Sequence, residues 1–237
     1  MSDFSSSAPA PSARFKMFQP ILAGATVRDR VIACVGAVLG ISLTGLVSAL
    51  ALGQGAHLPL IIAPLGASAV LVFAVPASPL AQPWSVIGGN TISAIIGVAV
   101  AMLVPDTMLA SGLAVGLAIA AMSLTRSLHP PGGAMALTAV IGGHAVAEAG
   151  FMFALVPACL NSLLLAGLAW AFHRFSGHSY PHVPAPAPKQ TPTSLHAADI
   201  DAALKDLGET FDINREDLGR LLERAEQHAQ ARAGKPS

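Results

Sequence analysis

The sequence predicts an all-α fold: a polytopic membrane helix bundle with a short soluble helical hairpin at its C-terminal end. Three observations predict it. Between Val31 and Phe172 only Asp106, Arg126 and Glu148 carry charge, whereas residues 185–237 hold 16 of the 26 charged side chains. A water-soluble fold of that length needs a charged surface, and three side chains cannot supply one. Composition agrees, with 53% hydrophobic and 11% charged residues and a mean hydropathy of +0.62. The third observation is a series of apolar runs, several near the roughly 20 residues that span a bilayer as a helix.

The same figures exclude other classes. Disorder over most of the chain would require low hydrophobicity and high charge. Nucleic-acid binding is not expected, because 13 Lys+Arg face 13 Asp+Glu and leave no basic footprint. Two cysteines, Cys34 and Cys159, do not make a disulfide scaffold.

In chain order, residues 1–30 are expected to be a flexible basic N-terminus, rich in Ser, Ala and Pro at first. They hold Arg14, Lys16, Arg28 and Arg30 before the first apolar run. No apolar core with a cleavage site precedes residue 30, so a removable signal peptide is not expected. By the positive-inside rule the N-terminus is cytoplasmic. The membrane domain then covers 31–174. Val31–Leu52, Trp84–Val104, Met108–Thr125 and Phe151–Phe172 are long enough to span. Leu58–Val75, broken by Pro64, and Pro130–Ile141 are short.

The two short runs resemble each other: PLGASAVL at 64–71 and PGGAMALT at 131–138. Each is followed by a run with one Asn, Asn90 or Asn161. The domain therefore divides into two three-element halves, 31–104 and 108–174. If both short elements cross, there are six spans, and three per half makes the halves inverted. Arg126, Arg174 and the tail then lie inside with the N-terminus. If both are re-entrant there are four spans and Arg126 lies outside. The basic residues favour six.

A Pro-rich linker is expected over 175–197, with five prolines between Pro181 and Pro192. A cytoplasmic helical hairpin over 198–231 follows. Its first helix runs to Leu207 before Gly208, and its second starts after the N-cap Asn214, with Leu218, Leu221, Leu222 and Ala225 on one face. So small an apolar face is expected to dock on the membrane domain or on a partner.

The segment Ser127–Ala134, SLHPPGGA, holds the most distinctive chemistry. Proline suits a helix start, and glycine lets a backbone or ligand approach. A helix N-terminus inside a membrane carries unpaired N–H groups and partial positive charge, which together make an anion site. Gly132, Gly133 and Ala134 are expected to supply those groups, and Gly66, Ala67 and Ser68 after Pro64 their counterparts. His129 is a proton-linked ligand or a helix cap. Asn90 and Asn161 line a path or hold helices together. Arg126 is an interface anchor or a vestibule charge. His57 and His144 lie at loop positions, and the histidines lack metal-ligand spacing, so neither metal nor another cofactor is expected. No nucleophile–base motif appears, and an enzyme is not expected.

SLHPPGGAMAL resembles the signature of the HPP family of integral membrane proteins. PLGASAVLVFAVPASPLAQPWSVIGGNTISAIIGV, with its GAS, SPLAQP and double Gly, is also similar to the family, as is Tyr180-Pro181 after the last run. The similarity covers about residues 20–182. It departs at Asn90, where many members carry His. The resemblance implies a small polytopic membrane protein; some plant members are associated with nitrite transport into chloroplasts, and many bacterial members have no assigned substrate. Some longer members append cystathionine-β-synthase-type domains, and residues 199–229 look like the lead-in to them; nucleotide sensing is not expected here. The expected function is a transporter or channel for a small anion, nitrite first, in a bacterial-type inner membrane. The expected partners are the lipid bilayer and further copies of the chain in a homo-oligomer. The alternatives are transport of another small polar solute and a sensor or scaffold signalling through the hairpin.

Overall fold

The structure is a computed structural model and describes residues 26–52, 61–184, 196–207 and 212–233. Residues 1–25 of the expected flexible start, His57, residues 185–195 of the linker and Gly208 lie outside the described residues. Among the described residues every regular element is helical. Four helices are long and apolar enough to cross a membrane, and two apolar helices are shorter.

The first helix, α1 (Val27–Leu52), begins four residues before the apolar run. The reason is local. Thr26 Oγ1 accepts from the Asp29 N–H (3.3 Å), while the Asp29 carboxylate accepts from the Thr26 N–H (2.9 Å). This reciprocal cap satisfies first-turn donors and starts the helix. Next comes α2 (Pro64–Ala74), which occupies only the second part of its apolar run. A 3₁₀ turn, Pro79–Ala81, leads to α3 (Pro83–Leu103), and α4 (Thr107–Leu124) is capped by the Asp106 carboxylate on the Leu109 N–H (2.8 Å).

The short α5 (Pro130–Ile141) is followed by a single-turn α6 (His144–Ala149), which the sequence reading missed. A π-helical turn, Ala154–Leu160, contains Pro157 and runs into α7 (Asn161–Ser176). Proline has no N–H, so the regular ladder cannot continue through it, and the widened turn absorbs the break. The tail forms α8 (Ala197–Leu207) and α9 (Arg215–Ala233). Asn214 caps α9, accepting from the Asp217 N–H (2.8 Å) and donating to the Asp217 carboxylate (2.7 Å).

Side-chain contacts fix the direction of each helix. A Cβ on Gly45 would meet Ile61, and one on Gly36 or Gly40 would meet Phe73, so α2 runs antiparallel to α1. Gly132 faces Gly89 and Ser93, and Ala136 and Ala139 face Gly97, so α5 runs parallel to α3. At Gly97 an added Cβ would overlap the Ala136 carbonyl oxygen, and only glycine permits that approach. Leu165 and Phe172 reach Gly40 and Gly36, setting α7 antiparallel to α1.

The helix ends gather accordingly. Asp29 lies 3.8 Å from His178, just past α7. Tyr180 Oη donates to the Ala81 carbonyl (2.9 Å), ahead of α3. Trp84 Nε1 donates to the Thr125 carbonyl (3.0 Å), at the end of α4. One face of the bundle thus holds the start of α1, the end of α2, the start of α3 and the ends of α4 and α7. It carries Arg28, Arg30, Arg126 and Arg174. The hairpin docks there: Ser78 Oγ donates to the Asp212 carboxylate (2.8 Å), and His182 Nε2 lies 2.7 Å from that of Asp217.

One core cluster joins α1, α2, α3, α5 and α7 around Leu65, Val72, Phe153 and Leu165. A second joins α3, α4 and α5 around Ala110, Ala114, Ala118 and Met122. Outward surfaces are apolar, as at Val31, Val38, Leu46 and Leu50 on α1 and Leu109, Leu117 and Leu124 on α4. Acyl chains solvate such faces at no hydrophobic cost.

Candidate functional site

Inside the bundle lies a connected set of polar side chains. After α4 the chain turns at Arg126, whose φ of 55° is in the left-handed region. It then drops inward as an extended segment to His129, placing Ser127 and His129 in the interior with no exposure. Gly89 makes room: a Cβ there would come within 2.6 Å of both the Ser127 carbonyl oxygen and His129 Cβ. The His129 ring does not cap α5. Its Nδ1 lies 2.8 Å from the Leu80 carbonyl, and its Nε2 lies 2.8 Å from Ser68 Oγ.

A carbonyl only accepts, so Nδ1 carries the proton. In the neutral ring Nε2 then accepts from the Ser68 hydroxyl. Ser68 in turn accepts from Asn90 Nδ2 (3.2 Å), which also donates to Ser162 Oγ (3.0 Å). Beside Ser162, Asn161 Oδ1 accepts from Ser48 Oγ (2.5 Å). All six side chains are buried. They come from α1, α2, α3, α7 and the segment before α5, so the network exists only when the bundle is assembled.

Among the described residues of the membrane bundle, four buried polar atoms lack a hydrogen-bond partner: Asn90 Oδ1, Ser93 Oγ, Thr44 Oγ1 and Thr91 Oγ1. Asn90 and Ser93 lie one turn apart on the same face of α3. An unpaired polar atom in a low-dielectric interior is costly and favours any ligand or water that can reach it. Among the described residues no cluster of three or more His, Cys, Asp or Glu is placed to hold a metal.

Of the expected site residues, the fold brings together Ser68, Asn90 and His129, with Gly132 packed against Ser93 and Met122, while Asn161 bonds Ser48 next to Ser162. It does not bring Gly66, Ala67, Gly133 and Ala134 to them. Gly66, Ala67 and Ala134 are exposed on the outer sides of their helices, and Gly133 is half-buried with Val115 as its neighbour.

The first expected backbone donor of each short helix is also engaged. The Gly66 N–H donates to the Ala63 carbonyl (3.0 Å) and the Gly132 N–H to the His129 carbonyl (2.8 Å). Pro64, Pro130 and Pro131 fill the first helical positions and bring no N–H. The donors that follow close 3₁₀-type turns on the entering chain. Side chains, rather than helix N–H groups, therefore present the polarity.

Sequence reasoning missed Ser48, Ser93, Ser162 and the Leu80 carbonyl. Ser162 had a signal in its place next to Asn161. Leu80 had none, since a backbone oxygen is not readable from residue type. It also missed His173, buried with Nε2 on the Val72 carbonyl and Nδ1 on Ser176 Oγ, each at 2.8 Å. Tyr180 lies outside the spanning helices, and burial raises its phenol well above the ordinary value, so it stays a donor.

Comparison with known proteins agrees with this architecture. A curated transmembrane protein of Dictyostelium discoideum is 40% identical over 131 residues, covering 53% of this chain and 46% of that protein. A second from the same organism is 41% identical over 114 residues, covering 46% of this chain and 36% of its own. The chain thus spans less than half the length of these relatives. No solved structure matches it. The HPP transmembrane region matches residues 23–181, a stretch that includes every member of the polar network. The chain is an integral membrane protein and belongs to the HPP transmembrane family.

Proposed function

We propose that this protein is a transporter or channel for a small anion, nitrite first, and not an enzyme. The observation that carries the reading is the buried network of His129, Ser68, Asn90 and Ser162, with its unpartnered Asn90 Oδ1 and Ser93 Oγ. Polar groups inside a membrane bundle are expensive and mark solute paths. The hydroxyls and amide offer hydrogen bonds of both senses, suited to a small oxyanion.

Helix direction supports a second part of the proposal. Each successive element from α1 to α5 reverses direction, and α7 returns to the face where α1 began. If α2 and α5 both cross, there are six crossings in two inverted halves. Their roughly 17 and 18 Å lengths are short for a ~30 Å core, so each would start inside the bilayer. The face with Arg28, Arg30, Arg126 and Arg174 is then cytoplasmic and holds both termini. A bacterial-type inner membrane and a homo-oligomer complete the reading.

Uptake by purified protein in liposomes tests the proposal. Nitrite influx well above that of protein-free vesicles is expected, with nitrate and formate compared as smaller fluxes. No flux of any of the three would overturn it.

The sensor or scaffold reading is favoured by one observation: the hairpin's Asp212 contacts Ser78, whose hydroxyl also accepts from the Leu80 N–H (3.1 Å). Leu80 is the residue whose carbonyl holds His129. If no anion moved while hairpin deletion altered a partner's activity, this second reading would stand.

A further inference from the structure

The polar network contains no fixed charge, and an anion entering it needs a countercharge. Around His129, α2 contributes Ser68, α3 contributes Gly89 and Asn90, α4 contributes Met122, and the 3₁₀ turn contributes the Leu80 carbonyl. The titratable and charged groups of these elements and their neighbours are few. Arg126 is exposed. The His173 ring on α7 is held on the Val72 carbonyl, one turn along α2 from Ser68. The Tyr180 phenol is held on the Ala81 carbonyl. Among the described residues, His129 is the one ionisable side chain bonded to the network.

Each link of the network can run in two directions. With His129 neutral, the Asn90 amide N–H donates to Ser68 and the Ser68 O–H donates to Nε2, leaving Asn90 Oδ1 without a partner. That free end, buried in the bundle, is an acceptor and repels an anion. If Nε2 gains a proton it must donate to Ser68 Oγ. The Ser68 hydroxyl must then donate elsewhere: the Pro64 carbonyl is within reach at a long 3.3 Å, and the Asn90 amide oxygen, once turned, suits the hydroxyls of both Ser68 and Ser162. A half-turn of the Asn90 amide places Oδ1 on those two hydroxyls and frees its NH₂, on the same helix face as the unpartnered Ser93 hydroxyl. The free end becomes a donor to an anion.

We propose that His129, Ser68 and Asn90 form a reversible hydrogen-bond relay that couples anion binding to proton uptake, so that one proton travels with each anion. The proposal rests on the anion-transport reading. The step balances: a proton from the aqueous side binds His129 Nε2, the anion binds the freed Asn90 amide and Ser93 hydroxyl, and both leave on the far side. The bound pair is electrically neutral, which removes the large cost of a lone charge in the bundle.

Nitrite entry into liposomes, corrected at each pH for the nitrous-acid leak of protein-free vesicles, tests this. Expected for the native chain is influx that rises about tenfold per unit of external acidification while the relay is mostly unprotonated. Steady accumulation should not respond to a 100 mV potential set with valinomycin. A uniporter would instead change accumulation about 50-fold with that potential. Ser68→Ala, which cuts the relay but keeps the imidazole, should flatten the pH profile; size-exclusion chromatography would confirm that it folds. Potential-driven nitrite flux without proton movement would overturn the relay and leave the anion reading standing. A pH profile unchanged in Ser68→Ala would also overturn it. Absence of nitrite, nitrate and formate flux would overturn both.

Discussion

At the scale of single residues, the bundle separates two kinds of glycine. Gly89 and Gly97 face backbone carbonyls so closely that a methyl group cannot be added without moving a helix. Gly112 and Gly116 on α4 have open space where a Cβ would go. Gly97→Ala is expected to cost about 1–3 kcal/mol by overpacking. Gly112→Ala is expected to stabilise by about 0.5–1 kcal/mol, the helix preference of alanine over glycine where nothing clashes. Thermal unfolding of the two variants in detergent checks the contrast. A loss of oligomer in Gly112→Ala without loss of stability would identify the α4 face as a contact between copies.

Tyr180 gives a second test at this scale. Tyr180→Phe leaves the Ala81 carbonyl without its donor, at a cost of about 1–3 kcal/mol. The pH dependence has a definite sign. Burial raises the folded-state phenol, so its contribution is complete below the unfolded value near 10 and is lost as pH rises toward the higher folded value. The difference between the native chain and Tyr180→Phe should therefore shrink above about pH 10. A gap that widened there would contradict the assignment.

At the scale of elements, the hairpin was legible as two amphipathic helices, and its start at Asn214 was readable from the cap. Its seat was not, because docking depends on Ser78 and His182, which are distant in sequence. Asp217 serves both purposes, capping α9 with Asn214 and meeting His182. Asp217→Ala is expected to raise amide exchange several-fold across 215–221, read by mass spectrometry on the protein in detergent, with exchange in α3 unchanged. The π-helical turn before α7 was not legible either. Pro157 signals a break, but an α-kink and a widened turn satisfy the same sequence. The surrounding helices select the turn that puts Asn161 on Ser48 and Ser162 on Asn90.

At the scale of the whole molecule, alternation of helix direction makes a prediction about sidedness. In a chain with Cys34 and Cys159 replaced by Ser, single cysteines at Thr26, Arg126 and Ser176 should react with an impermeant maleimide from one side of oriented vesicles. A cysteine at His144 should react from the other. Labelling of Arg126→Cys from the opposite side to Thr26→Cys would require one of the short helices to re-enter rather than cross.

The sequence alone determined the membrane character, the order of the principal helices and the family resemblance. These follow from local quantities: three charges in 142 residues, runs of given length, and proline and glycine at helix starts. It also marked Ser68, Asn90, His129 and Asn161, since polar residues in apolar runs stand out singly. Only the tertiary structure decided how they combine. A free helix N-terminus is a local expectation, and the entering chain had already closed the turns at Gly66 and Gly132. The link from Leu80 through His129 and Ser68 to Asn90 joins segments up to 61 residues apart. Its members become partners because water is excluded from the bundle, and each buried polar group must find its hydrogen bond on another helix.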